Sequence, residues 1–157
     1  RQRQMCIRDS IASRGGFAMN AINAMKMGKE IGQPPDVYQT PASAIDIAKT
    51  VLELYESGLS GIFHVSGRDC ISRFNLAREL CKTFDLDESL VKPVSMDDFA
   101  RTFNIDPETT PIKFPKNACL DMSKVEGALH RKQIGLEQGL KILKSQFEEI
   151  ESWRQQL

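Results

Sequence analysis

Residues 36–67, DVYQTPASAIDIAKTVLELYESGLSGIFHVSG, constrain the fold more than any other stretch of the chain. Thr40 offers a hydroxyl that caps a helix, and Pro41 then takes the first helical position, where its missing N–H is no loss. Ala44, Ile45, Ala48, Val51, Leu52 and Tyr55 follow at three- and four-residue spacing and lay one apolar stripe along that helix. Gly58 and Gly61 bracket its stop. Ile62, Phe63, His64 and Val65 form a short apolar run with β-branched and aromatic content, which predicts a strand buried on both faces. A capped helix feeding a buried strand is the pattern of an α/β sheet edge.

A chain of 157 residues is one domain or part of a larger one. Lys+Arg and Asp+Glu number 21 each, a balance that argues against a nucleic-acid partner, which selects for a basic face. No apolar run approaches the roughly 20 residues of a membrane-spanning helix, which argues against a membrane protein. Cys6, Cys70, Cys81 and Cys119 contain no C-x-x-C pair and match no zinc spacing. They read as free, mostly buried thiols in a reducing cytoplasm.

Residues 1–10, RQRQMCIRDS, lack apolar periodicity and read as a non-native or disordered segment, so that the true chain starts near Ile11 with its own beginning missing. From Ser13 a Gly-rich loop opens a helix running to about residue 30, ended by Gly32 with Pro34-Pro35 behind it. Arg14, beside Gly15 and Gly16 at that helix start, either reaches a phosphate or lies solvated in a turn. Ser72 caps the next helix, whose buried stripe is Phe74, Ala77, Leu80, Cys81 and Phe84. Residues 90–94 read as an edge strand because Pro93 cannot sit inside a sheet, and 95–117 as a partly ordered loop. Ser123 and Glu126 have the spacing of a capping box. A last helix begins near Gly135, with Leu136, Leu140, Leu143, Phe147, Ile150 and Trp153 as its seam.

Motifs that carry chemistry are absent. There is no G-x-G-x-x-G turn, no G-x-x-x-x-G-K-[ST] phosphate loop and no G-x-S-x-G elbow. His64, inside an apolar run, reads as a core histidine, and His130 follows a helix end. The pairs Asp97-Asp98 and Glu148-Glu149 are adjacent, so their side chains diverge on a helix rather than form an acid/base dyad. The residues by themselves support no catalytic mechanism and no metal site.

From about Ser13 to Leu157 the chain resembles the C-terminal, substrate-binding half of extended short-chain dehydrogenase/reductases of the dTDP-4-dehydrorhamnose reductase (RmlD-like) type. The carrying residues are Gly16-Phe17 opening a helix, Asp36-x-Tyr38-x-Thr40-Pro41 before the next, and Gly61-Ile62-Phe63-His64-Val65-Ser66-Gly67. Ser72-Arg73-Phe74 and Pro115-x-Asn117-x-x-Leu120-Asp121 follow in the family's order. The resemblance implies an α/β lobe, mostly helices with a few short parallel strands, over residues 11–157. It further implies an oxidoreductase of nucleotide-sugar metabolism that reduces a 4-keto-deoxysugar nucleotide with NADPH or NADH. In the family the cofactor sits in an N-terminal Rossmann half, and a Y-x-x-x-K pair supplies acid/base catalysis. Neither is present here: Tyr38 is followed four residues on by Ala42, and Tyr55 by Leu59. The expectation is therefore a truncated reductase with no catalytic or cofactor-binding residues of its own.

The same resemblance carries a substrate-binding role to Arg14, Phe17, Asp36, Tyr38, Thr40 and Asn117. The family often has Arg before the Pro of the Pro-x-Asn segment; here Phe114 stands there, with Lys113 and Lys116 as the cations able to replace it. The expected partners are a sugar nucleotide and the missing Rossmann half, and the resemblance admits a homodimer of the full-length protein. A module like the regulatory subunit of methionine adenosyltransferase, and a fragment of a nucleotide-sugar epimerase or dehydratase, are the alternatives. Residues 61–66 resemble a late strand of the Rossmann sheet, so the isolated chain is expected to leave it unpaired and to be less stable than its composition suggests.

Overall fold

In the computed structural model the described residues are 16–103, 105–106, 108 and 115–155, the last three without their side chains. They fall into two compact units. One gathers the described parts of Ala21–Thr40 and Cys70–Cys119; the other those of Arg1–Asn20, Pro41–Asp69 and Leu120–Leu157.

The first unit holds every described strand. Helix α1 (Phe17–Lys26), which crosses into it, buries Ala18, Ala21, Ile22 and Met25 at three- and four-residue spacing. It ends earlier than expected. Gly28 adopts φ +69° and donates to the Met25 carbonyl, while the Lys29 N–H reaches back to Ala24, which together make a Schellman stop. Gly32 instead lies in strand β1 (Ile31–Gln33), where a Cβ would stand 2.8 Å from Val94. β1 pairs in parallel with β4 (Val91–Pro93), the edge strand that Pro93 permits. Between them in sequence, α3 (Arg73–Phe84) starts on Ser72, whose hydroxyl accepts from the Asn75 N–H at 3.2 Å, and buries Leu76, Ala77, Leu80 and Cys81. The expected Ser72 cap and most of the α3 stripe are present. Inside the expected loop, α4 (Met96–Arg101) forms with Ser95 as its cap and buries Phe99 and Ala100.

A second sheet of this unit has the order β3-β2-β5, from β3 (Ile71–Ser72), β2 (Tyr38–Gln39) and β5 (Asn117–Ala118). β2 runs antiparallel to β3 and parallel to β5. Cys70 and Cys119, which flank the two outer strands, are joined by a disulfide. The free-thiol reading fails for this pair; it holds for Cys81, which is buried, and Cys6 lies outside the described residues. Spacing of 49 residues in sequence hid a pairing that only the sheet creates.

The second unit is helical. Its helix α2 spans Ala44–Glu56 with Ser43, not Thr40, at the N-cap position. The apolar stripe is the correction of most consequence. Ile45, Val51, Leu52 and Tyr55 point outward, Tyr55 at 84% exposure, while Asp46 and Thr50 are buried. The cause is Arg131. Its guanidinium meets Glu53 (Nε to Oε2, 2.6 Å), Thr50 (Nη2 to Oγ1, 2.6 Å) and Asp46 (Nη1 to Oδ1, 3.5 Å), three residues at i, i+4 and i+7 on one face. The Thr50 hydroxyl has one proton, which the Asp46 carbonyl takes at 2.8 Å. The buried Gln133 Oε1 lies 3.1 Å from the same hydroxyl as an alternative acceptor for that proton, and Gln133 Nε2 has no hydrogen-bond partner among the described residues.

Residues 62–65 form no strand and join no ladder, and Ile62 is 72% exposed. The doubly buried strand is therefore not formed, because no neighbouring strand offers it hydrogen bonds. His64 is exposed rather than a core residue. Instead, the Lys124 ammonium donates to the Ile62 carbonyl at 2.7 Å and sits 4.5 Å from the Phe63 ring centre. At helix α5 (Ser123–Leu129) the expected capping box is replaced. Asp121 accepts from the Ser123 N–H and hydroxyl, and the Glu126 carboxylate turns to Lys132 and the Gln133 N–H. The last helix, α6 (Leu136–Gln155), buries Leu140, Leu143 and Phe147 as its seam predicts; its first N–H is capped by Asp69 at 2.6 Å. No helix among the described residues is long and apolar enough to cross a membrane.

Candidate functional site

Four of the six expected site residues, Asp36, Tyr38, Thr40 and Asn117, lie in the unit that carries the strands. Phe17 opens α1, half-buried, in the other unit, and Arg14 lies outside the described residues, as does Phe114. Asp36, in the turn before β2, and Tyr38, in the strand, are both exposed, while Val37 between them is buried. Thr40, just past the strand, is buried at 5% exposure.

The parallel register sets Tyr38 against Asn117, and the Tyr38 N–H donates to the Lys116 carbonyl at 2.7 Å. The Lys116 side chain then turns to Asp36, Nζ to Oδ2 at 2.9 Å. Its hydrogen bond holds the exposed Asp36 carboxyl below the usual carboxylate range, and the same bond raises the Lys116 ammonium above its own. Asn117 spends its carbonyl on the Cys119 N–H at 2.9 Å, which leaves its amide nitrogen as the donor it can offer outward. Beside this group opens a hollow of about 490 Å³, with Pro35, Pro93 and Met96 as apolar walls and Asp36, Asp97 and Lys116 as polar ones.

Chemically this is a cluster of hydrogen-bonding side chains beside a hollow. It offers a carboxylate, an ammonium, a phenol and an amide, the groups that recognise hydroxyls and anions. The two described histidines belong to the other unit, and the Cys81 thiol is pushed up by burial, so it is no ready nucleophile. Among the described residues no group of three or more His, Cys, Asp or Glu is placed to hold a metal. Asp36 and Tyr38 were legible only through the Asp36-x-Tyr38-x-Thr40-Pro41 segment of the family resemblance. Nothing local signalled that Lys116, 80 residues on, pairs with Asp36, or that Asp97 comes to the same hollow.

Extended strands feeding helices, with a polar surface on loops at one sheet, define an α/β binding lobe. Residues 11–148 match the model of the RmlD substrate binding domain, and the chain belongs to that family. It is 30% identical over 137 residues to the "Probable low-salt glycan biosynthesis reductase Agl14" of Haloferax volcanii, covering 87% of this chain and 43% of that protein. The fold is that of the dTDP-4-dehydrorhamnose reductase of Bacillus anthracis, solved in complex with NADP, with TM-score 0.73 and 20% identity over 85% of this chain and 44% of that one. A Clostridium acetobutylicum dTDP-4-dehydrorhamnose reductase gives TM-score 0.72 and 22% identity, over 87% and 45%. The chain thus spans less than half the length of the relatives it matches.

Proposed function

We propose that this chain is the substrate side of a nucleotide-sugar reductase, with Asp36, Tyr38 and Asn117 as the groups that meet the sugar nucleotide. The observation that carries the reading is the Asp36–Lys116 ion pair at the wall of the hollow, with Tyr38 and Asn117 paired on the adjoining strands, in a family defined by substrate binding. Lys116 takes the place of the cation that Phe114 does not supply. Arg14 and Phe17 are assigned the same ligand on the resemblance of their segment alone. Thr40, buried at the end of β2, is assigned the same ligand on the resemblance alone.

The hydride comes from NADPH or NADH held by an N-terminal Rossmann half. The residues described here do not fit that cofactor themselves. No strand-to-helix junction among them contains a glycine, and β3 passes straight into α3 at Ser72-Arg73, so these junctions build no Gly-rich pyrophosphate turn. No reaction step is therefore assigned to these residues. The outward apolar face of α2 and residues 62–65, which join no ladder, are the surfaces that such a half would cover. Residues 1–10 are assigned to a foreign or disordered segment, and the protein to the cytoplasm, where disulfides are rare and usually transient.

The test is calorimetric titration of the purified chain with a dTDP-sugar. Asp36→Asn and Asn117→Ala are each expected to weaken binding roughly tenfold, the worth of one hydrogen bond to a charged or buried partner, without loss of folded signal. Undiminished affinity in both variants contradicts the assignment.

A further inference from the structure

The Cys70–Cys119 disulfide closes the sheet that carries the candidate site. β2 lies between the two outer strands, and its register runs Tyr38 against Ser72 and Asn117, then Gln39 against Ile71 and Ala118. One residue further, the register places Thr40 between Cys70 and Cys119. Two strands separated by a third stand about 9.6 Å apart in an ordinary sheet, twice the inter-strand spacing. The Cα atoms of Cys70 and Cys119 are 5.6 Å apart, so the outer chains converge past the end of β2, and Thr40 at that end is buried. Each strand is only two residues long, too short to hold a sheet by its ladder alone. Cys70 is exposed, which leaves the bond open to attack by a thiolate from solution.

We propose that this disulfide is a thiol-reversible clasp that holds Asn117 in register with Tyr38 and shuts the end of β2 over Thr40. A dithiol opens it by exchange: the Cys70–Cys119 S–S bond breaks, two electrons and two protons pass to the two cysteines, and the reagent closes its own disulfide. In the open form the outer chains separate toward ordinary spacing, the β2–β5 pairing loosens and Thr40 becomes accessible. The effect on ligand rests on the proposed function; the effect on the sheet does not.

The experiment compares the purified chain after oxidation with oxidised dithiothreitol and after reduction with dithiothreitol. Alkylation and mass mapping are expected to show Cys70 and Cys119 blocked only in the oxidised form, with two more titratable thiols on reduction. Amide exchange at Tyr38, Asn117 and Ala118 is expected to accelerate at least tenfold on reduction, and Cys70→Ser and Cys119→Ser to exchange like the reduced form under either condition. Free Cys70 and Cys119 after oxidation, or unchanged exchange on reduction, overturns the clasp. Affinity for dTDP is read on the same samples and is expected to fall with the lost protection. Faster exchange with unchanged dTDP affinity upholds the clasp and overturns the assignment of Tyr38 and Asn117 to the substrate.

Discussion

Asp36 and Lys116 are both solvent-exposed, so their pairing orients the site more than it stabilises the fold. The sign of its pH dependence follows from the two shifts. Asp36 is lowered, so the pair is intact above the ordinary carboxylate pKa of about 3.9 and is lost as pH falls through the shifted value; Lys116 is raised, so the pair persists beyond about 10.4 before failing. NMR titration of the Asp36 carboxyl carbon is expected to give a midpoint below about 3.9, returning toward it in Lys116→Ala. Glycines offer a second residue-scale check. A Cβ at Gly67 would collide with the Pro41 carbonyl oxygen, a backbone atom that cannot step aside, whereas one at Gly127 in α5 meets nothing within 4 Å. Gly67→Ala is expected to destabilise by about 1–3 kcal/mol and Gly127→Ala to stabilise by about 0.5–1 kcal/mol in denaturant melts. At this scale the sequence was half legible. Asp36 and Tyr38 were readable as parts of the family's Asp36-x-Tyr38-x-Thr40-Pro41 segment, and Ser72 as a cap. The partners of Asp36 and of Cys70 lie 80 and 49 residues away, beyond any local pattern.

Helix positions follow the apolar periodicity, but periodicity does not say which side of an amphipathic helix faces in. On α2 the decision falls to Arg131, which draws Asp46, Thr50 and Glu53 inward and leaves Val51, Leu52 and Tyr55 outside. Leu52→Lys is accordingly expected to change the stability of this chain by no more than about 0.5 kcal/mol. Arg131→Met, which strips the nearly buried Asp46 of its cation, is expected to cost about 1–3 kcal/mol in the same melts. Inversion of that order would mean that the apolar stripe is the buried one. The run at 62–65 was misread for a related reason. Its composition fits a strand, yet a strand exists only with a neighbour to bond, and none of the described residues supplies one. The disulfide acts at this scale too. Closing a loop of 49 residues constrains the unfolded chain by up to about 4 kcal/mol, a stabilisation that reduction is expected to remove.

As a whole, the chain is a member of the RmlD substrate-binding family that spans less than half of the reductases it matches, and its exposed apolar surface is concentrated on α2 and residues 59–62. Fold class was legible because the order of short motifs along the chain, rather than any one of them, carries the family. The division into two units was not, since each is assembled from segments far apart in sequence. With that surface uncovered, the isolated chain is expected to unfold below the roughly 45–65 °C typical of mesophilic domains; a cooperative transition within or above that range would contradict it. The central claim is that the group around Asp36, Tyr38 and Asn117 receives the sugar nucleotide. Its most direct test is an amide-resolved NMR titration of the purified chain with a dTDP-sugar. The account predicts saturable shifts at Asp36, Tyr38, Lys116 and Asn117, with the amides of α6 unmoved. Saturable binding that leaves those four amides in place would contradict it.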